Sequence, residues 1–538
     1  MLAGCSTAEP VTGPAVPELT GPGDPTTVLA PERAVPLAAA TSAALFRTAP
    51  VVVLAADGDA DGQAGAASAA VGLGAPLLLA PTAETDAMDT PAVADEVRRL
   101  APEALLAVGG GAQEWAARAL LPQDGELRTV PAAPAALAGV VGVAQGSARA
   151  VEPTDLTGAV AGLNRERAEL LSTAAPADPA AAPADGAPEL PATAPALTVS
   201  DLVVLARTDQ QQAAAVATAR AAGAPVLVLR TPDPRSNAEV VTDLAAAPQR
   251  RVLALGSGFG SLEQLQQRLA VARTGVQLPG GGQLAFPGRR MISLYGNPTT
   301  PLLGALGEQN VDASIARAKE LAARYQPYSD VPVVPTFEII TTVASGAAGV
   351  DGDYSNESEL ALLRPYVDAA RTAGVYIVLD LQPGTTDFLT QAKRYEELLA
   401  EPHVGLALDP EWRLKPGQRH MAQIGSVGVD EINQVGDWLA GLARERALPQ
   451  KLLLLHQFRT SMITERERLD TAHDELAVLV HADGFGTQGM KTDTWNALRQ
   501  SAPNVFWGWK NFIDEDRPML EPEQTMQVSS DIVFVSYQ

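Results

Sequence analysis

The segment Leu408-Asp409-Pro410-Glu411-Trp412 sets two carboxylates one residue apart, with an indole beside them. On an extended strand, residues i and i+2 share a side, so both carboxyls are expected to face one cavity. Like charges held that close resist joint ionisation, so one group keeps its proton and becomes a donor. A donor next to a second carboxylate is what cleavage of a glycosidic bond requires. Trp412, Trp507 and Trp509 could offer flat apolar faces for sugar rings.

Other apolar runs downstream of residue 290 also end in reactive side chains. Asp380, His481 and Asp483 join Asp409 and Glu411 as catalytic candidates. Tyr295, Glu338, His456 and Lys510 join the three tryptophans as substrate-binding candidates. All histidines and tyrosines of the chain, and every tryptophan except Trp115, lie in this half. Acid–base work and sugar stacking both draw on such groups. An alternative chemistry is a metal-dependent hydrolase, with His456, His481, Asp483, Asp409 and Glu338 as nitrogen and oxygen ligands. Neither HxH nor HExxH occurs, so the favoured site carries no metal and no cofactor. No GxSxG elbow is present for a serine nucleophile. The acidic run Asp514-Glu515-Asp516 reads as a solvated loop.

These residues need a scaffold that gathers strand ends. Eight strand-like runs are found at 292–295, 334–340, 375–381, 404–408, 452–455, 476–480, 505–509 and 532–537. Between them apolar residues recur at helical spacing, as in Ile315, Ala318, Ala322, Tyr325 and in Ile432, Val435, Leu439, Leu442. Eight strands alternating with helices over about 250 residues predict a (β/α)8 TIM-type barrel, whose site lies at the C-terminal strand ends.

This half resembles barrel glycoside hydrolases of the chitinase and lysozyme type, which carry a D-x-E pair at the end of the fourth strand. The resemblance implies that Glu411 is the acid and Asp409 its partner. It departs from the longer chitinase pattern at Val404 and Ala407, where that pattern is acidic, and on the seventh strand, which offers Lys510 in place of a glutamate nucleophile. The barrel as a whole is also similar to that of actinobacterial surface lipoproteins.

The N-terminal half carries a repeat. Val51-Val52-Val53-Leu54-Ala55, an alanine-rich helix, Ala75-Pro76-Leu77-Leu78-Leu79 and a strand at 104–108 running into Gly109-Gly110-Gly111 form one copy. Leu202-Val203-Val204-Leu205-Ala206, a second alanine-rich helix, Ala224-Pro225-Val226-Leu227-Val228 and a strand at 251–255 before Gly256-Ser257-Gly258 form the other. Such alternation predicts parallel β-α units covered on both faces. The pattern resembles the cell wall-binding repeat 2 family of bacterial surface proteins, which implies attachment to anionic wall polymers. The glycine runs match neither GxGxxG nor GxxxxGK[ST] and are read as tight turns.

The only cysteine, Cys5, follows Leu2-Ala3-Gly4 and precedes a proline- and glycine-rich run. This resembles a bacterial lipobox and implies a lipid anchor at Cys5 on an exported protein, at the outer face of the cell membrane or in the wall. The expected organisation is a lipobox and flexible tether over 1–40, a duplicated α/β module over 41–280 with an Ala/Pro-rich linker at 172–196, and the barrel over 281–538. A net charge of −24 argues against nucleic acid, whose phosphates need a basic face. The sequence therefore describes an envelope-anchored, glycoside-hydrolase-like protein whose partner is a cell-wall or surface polysaccharide. A non-catalytic glycan-binding or scaffold lipoprotein is the rival of a different class.

Overall fold

The computed structural model describes residues 14–120, 128–132, 134–144, 147–174, 189–194, 198–500 and 502–538. Cys5 and most of the 172–196 linker lie outside the described residues. The chain divides into two compact units, Met1–Pro234 with Ala247–Arg268, and Arg235–Ala246 with Leu269–Gln538.

The first unit contains two four-stranded parallel sheets. One is built from β2 (Val51–Ala56), β3 (Leu77–Ala80), β4 (Ala104–Val108) and β5 (Arg128–Ala132), in the order β3-β2-β4-β5. The other uses β6 (Leu202–Arg207), β7 (Val226–Leu229), β8 (Arg251–Leu255) and β1 (Thr26–Leu29), in the order β7-β6-β8-β1. Its outer strand thus comes from the start of the chain. The proline preceding the edge strand, β3 in one sheet and β7 in the other, plays the same part in both. Val53 N–H donates to the Pro76 carbonyl at 3.0 Å, and Val204 N–H to the Pro225 carbonyl at 2.9 Å. Gly109 and Gly256, at the ends of β4 and β8, have φ of 82° and 97°, a conformation that only glycine adopts at little cost. Ala64, Ala66, Ala67, Ala69 and Ala70 of the helix Ala60–Leu73 are buried. A helix packed on several sides needs such small residues to approach its neighbours.

In the second unit eight parallel strands close into a barrel: β9 (Arg290–Gly296), β10 (Val333–Ala344), β11 (Tyr376–Leu381), β12 (Val404–Leu408), β13 (Lys451–Gln457), β14 (Leu476–Ala482), β15 (Phe506–Asn511) and β16 (Ile532–Tyr537). Each strand pairs with the next, and β16 returns to β9. Six of these strands extend or reproduce the runs read from the sequence, while β11 and β15 each begin one residue later than read.

Period-two alternation sorts the side chains. Residues such as Ile292, Phe337, Ile339, Leu379, Leu406, Leu453 and Val480 point outward and pack against the surrounding helices. The barrel interior begins with an apolar plug of Phe286, Met291, Val334, Tyr376, Val378, Leu454, Leu479 and Phe534. Two residues further along their strands, the inward side chains turn polar: Val378 gives way to Asp380, Leu454 to His456, Leu479 to His481 and Phe534 to Ser536. Gly508 faces inward at the same level. A Cβ there would sit 2.6 Å from His481 Cδ2 and 3.0 Å from Leu479 Cδ2, so the His481 ring occupies the space that glycine leaves.

Candidate active site

Above this polar layer a cavity of 670 Å³ opens at the C-terminal strand ends, where barrel enzymes place their chemistry. Of the residues singled out in the sequence, Tyr295, Asp409, Glu411, Trp412, Asp483 and Lys510 line it.

Asp409 and Glu411 share the cavity for a different reason than strand alternation. The strand ends at Leu408, and Pro410–Trp412 form a single 3-10 turn capped by Asp409, whose Oδ1 accepts the Glu411 N–H at 3.2 Å. Proline, lacking a donor and fixed in φ, starts such a turn readily. The turn carries Glu411 and Trp412 to the mouth, half-buried, while Asp409 stays buried beneath them.

Under the cavity lies a connected ionic network. His456 Nε2 is 2.7 Å from Glu338 Oε1 and its Nδ1 is 2.9 Å from Asp483 Oδ2. Lys510 Nζ lies 3.2 Å from Asp483 Oδ1 and 3.7 Å from the centre of the Tyr295 ring. Tyr295 donates its hydroxyl to Asp380 Oδ2 at 3.0 Å. Both His456 nitrogens face carboxylates, which accept only, so both carry hydrogen and the ring is an imidazolium. Burial opposes that charge, but Glu338 and Asp483 outweigh it and raise the His456 pKa well above its usual value. The neighbouring His481 has no such pairing. Burial pushes it down to about 3, so it is neutral, with Nδ1 3.4 Å from His456 Nδ1 and Nε2 3.3 Å from Ser536 Oγ.

The carboxyls divide into two kinds. Burial would raise Asp483, but Lys510 and His456 overcome it and hold Asp483 well below the usual carboxylate range. Glu411 is raised to about 7, first by burial and then by the charge of Asp483. Burial also raises Asp380, to about 6, and lifts Asp409 well above its normal value, with Asp380 and Glu411 adding to the effect on Asp409. Near neutral pH the cavity therefore presents a permanently ionised carboxylate and a protonated one. Environments that push two carboxyls apart in this way create separate acid and base roles.

Several sequence expectations are corrected by the barrel geometry. Trp507 and Trp509 do not reach the cavity. They alternate with the inward residues Gly508 and Lys510, so they point outward and pack edge-on against Trp495 at 5.5 and 5.8 Å. Glu338 and His456, expected to touch substrate, are wholly buried and engage each other below the floor. His481 and Asp380 likewise lie beneath it, not in its lining. The run Asp514-Glu515-Asp516 is only partly a solvated loop. Glu515 is exposed on the cavity wall, whereas Asp516 is buried, pairs with Lys491 at 2.8 Å and accepts the Phe512 and Gly486 N–H groups.

The cavity also has walls that the strand-end reading missed, above all Phe458, Arg459, Phe485, Asp493 and Phe512. Phe485 is 61% exposed and meets Phe512 edge-on at 5.7 Å. An aromatic residue between two glycines, Gly484-Phe485-Gly486, directly after the strand-end Asp483, was the available signal. As to metals, Glu338, His456 and His481 each offer a ligand atom within 4.8 Å of the others. A cation there would have to displace the 2.7 Å contact between His456 and Glu338.

No family model matches this sequence, and no curated protein matches it. Among solved structures, Cwp6 from Clostridium difficile is similar over 60% of this chain and 64% of its own, at 12% identity and a TM-score of 0.31. The chain thus spans less than two thirds of that protein. A cellobiohydrolase mutant in the closed form is similar over 56% of this chain and 82% of its own, at 13% identity and a TM-score of 0.22. At these scores neither likeness bears on the chemistry.

Proposed function

We propose that the barrel is a glycoside hydrolase acting on a cell-surface glycan, with Glu411 as the proton donor and Asp483 as the ionised carboxylate that serves as base or nucleophile. The observation that carries this reading is the pairing, across one open cavity, of a carboxyl raised to about 7 with one held ionised by Lys510 and His456. Glycosidic cleavage needs that division: one group protonates the leaving oxygen while the other attacks or activates water. Asp409 supports Glu411 by fixing its turn. Trp412, and the phenylalanines at the mouth, supply apolar faces for sugar rings. The test is release of reducing ends from purified cell-wall polysaccharides. Glu411→Gln and Asp483→Asn should each lower turnover by at least about 100-fold, the range for losing a general acid or base. Unchanged turnover in Glu411→Gln would end this assignment.

The same proposal places the chain at the bacterial envelope, held by lipid at Cys5. Its first unit would be two copies of one wall-binding β-α module. What supports the copy reading is the equal strand order around Ala75-Pro76 and Ala224-Pro225 and the matching carbonyl contacts of the two prolines. If the anchor exists, protein made with a functional export signal partitions into detergent and Cys5→Ser releases it.

A further inference from the structure

The cavity is unusual in how little positive charge it has for its carboxyls. Asp409, Glu411, Asp483, Asp493 and Glu515 line it, against Arg459 and Lys510. Glu338 and Asp380 lie directly below, with one imidazolium between them. The two buried cations are already committed: Lys510 to Asp483 at 3.2 Å, and His456 to Glu338 and Asp483 at 2.7 and 2.9 Å. Among the described residues, Asp409, Glu411, Asp493 and Glu515 have no ion-pair partner. Asp380 Oδ1 and Glu338 Oε2 are buried without a hydrogen-bond partner.

A neutral sugar offers hydroxyls that both donate and accept, and this floor is rich in acceptors and poor in donors. A uronic acid or phosphate-bearing polymer would add negative charge to a low-dielectric site that already resists it. An ammonium group supplies three donors and the missing charge in one substituent. We propose that the cleft selects a glycan carrying free amino groups, a polymer of unacetylated hexosamine units whose ammonium pairs with Asp409 as a carboxylate, leaving Glu411 its proton.

This rests on the barrel being a glycan-acting site, but its test reads binding, not turnover. The probes are glucosamine oligomers, their N-acetylated counterparts of equal length and a uronic acid oligomer, each titrated calorimetrically into the full chain carrying Glu411→Gln at mildly acidic pH. The glucosamine oligomer should bind at least about tenfold tighter than the acetylated one, as expected for one buried charge-assisted contact. Adding Asp409→Asn, or raising ionic strength, should reduce that preference. Equal or tighter binding of the acetylated or uronic oligomer would overturn the proposal, as would failure of the glucosamine oligomer to bind. If it binds and the native protein does not cut it, the hydrolase reading fails while the cation preference stands. If the native protein cuts a neutral or acidic glycan instead, the hydrolase reading stands and the preference fails.

Discussion

Replacing Glu411 with glutamine should make the protein more stable at alkaline pH, although it removes the proposed catalytic acid. The side chain keeps its shape and loses its ability to ionise. In the folded protein the Glu411 pKa lies at about 7, against 4.5 for a free glutamate, because burial and Asp483 disfavour its charge. A carboxyl whose folded-state value is raised costs stability as pH rises from its unfolded value to its folded one. Above that window the full cost remains. At about 1.4 kcal/mol per tenfold change in proton affinity, the interval from 4.5 to about 7 corresponds to roughly 3 kcal/mol. Glu411→Gln should recover on the order of that amount at pH 8 and almost nothing at pH 4, where both side chains are neutral. For a unit of this size the gain corresponds to a rise of roughly 5 °C or more in the midpoint of barrel unfolding. Denaturant and thermal melts of both proteins across that pH range measure it without any substrate. An equal effect at both pH values would show that shape, not charge, is responsible. No gain at pH 8 would mean that Glu411 ionises without penalty, and the basis for its role as acid would be lost.

Lys510→Met removes the cation that holds Asp483 ionised, so the acid limb of any pH–rate profile should move upward by about 1 to 3 pH units; an unmoved limb would separate Asp483 from the reaction. Glu338→Ala leaves the buried His456 charge without its closest partner and should cost about 3–5 kcal/mol in denaturant melts. The tryptophans should separate sharply: Trp507→Ala opens a void behind β15 and costs about 3–5 kcal/mol, whereas Trp412→Ala costs no more than about 1 kcal/mol and weakens glycan binding. Gly508→Ala drives a methyl into the His481 ring and should destabilise the barrel by about 1–3 kcal/mol, which circular dichroism melts would detect.

Much of the barrel could be read along the chain because its strands are buried on both faces. Leu452-Leu453-Leu454-Leu455 and Val404-Gly405-Leu406-Ala407-Leu408 are continuous apolar runs, and the first change of character in each marks where the strand leaves the core. That local rule located Asp380, His456 and His481, which lie beneath the cavity, and Asp409, Asp483 and Lys510, which line it. It also suggested the pairing of Asp409 with Glu411, although by strand alternation where a proline-initiated turn does the work.

Which way each strand-end side chain faces was not a local property. Trp507, Trp509 and Lys510 are equally plausible neighbours of a cavity until closure of β9 against β16 fixes the inside of the sheet. Alternation then sends both indoles outward and Lys510 inward. The ionic network depends on the same closure, since His456 finds Glu338 118 residues away and Asp483 27 residues away. A sequence carries the identity of each titratable group. The burial and the neighbouring charges that make Glu411 an acid and keep Asp483 ionised exist only when distant strands enclose them in a medium that water does not screen.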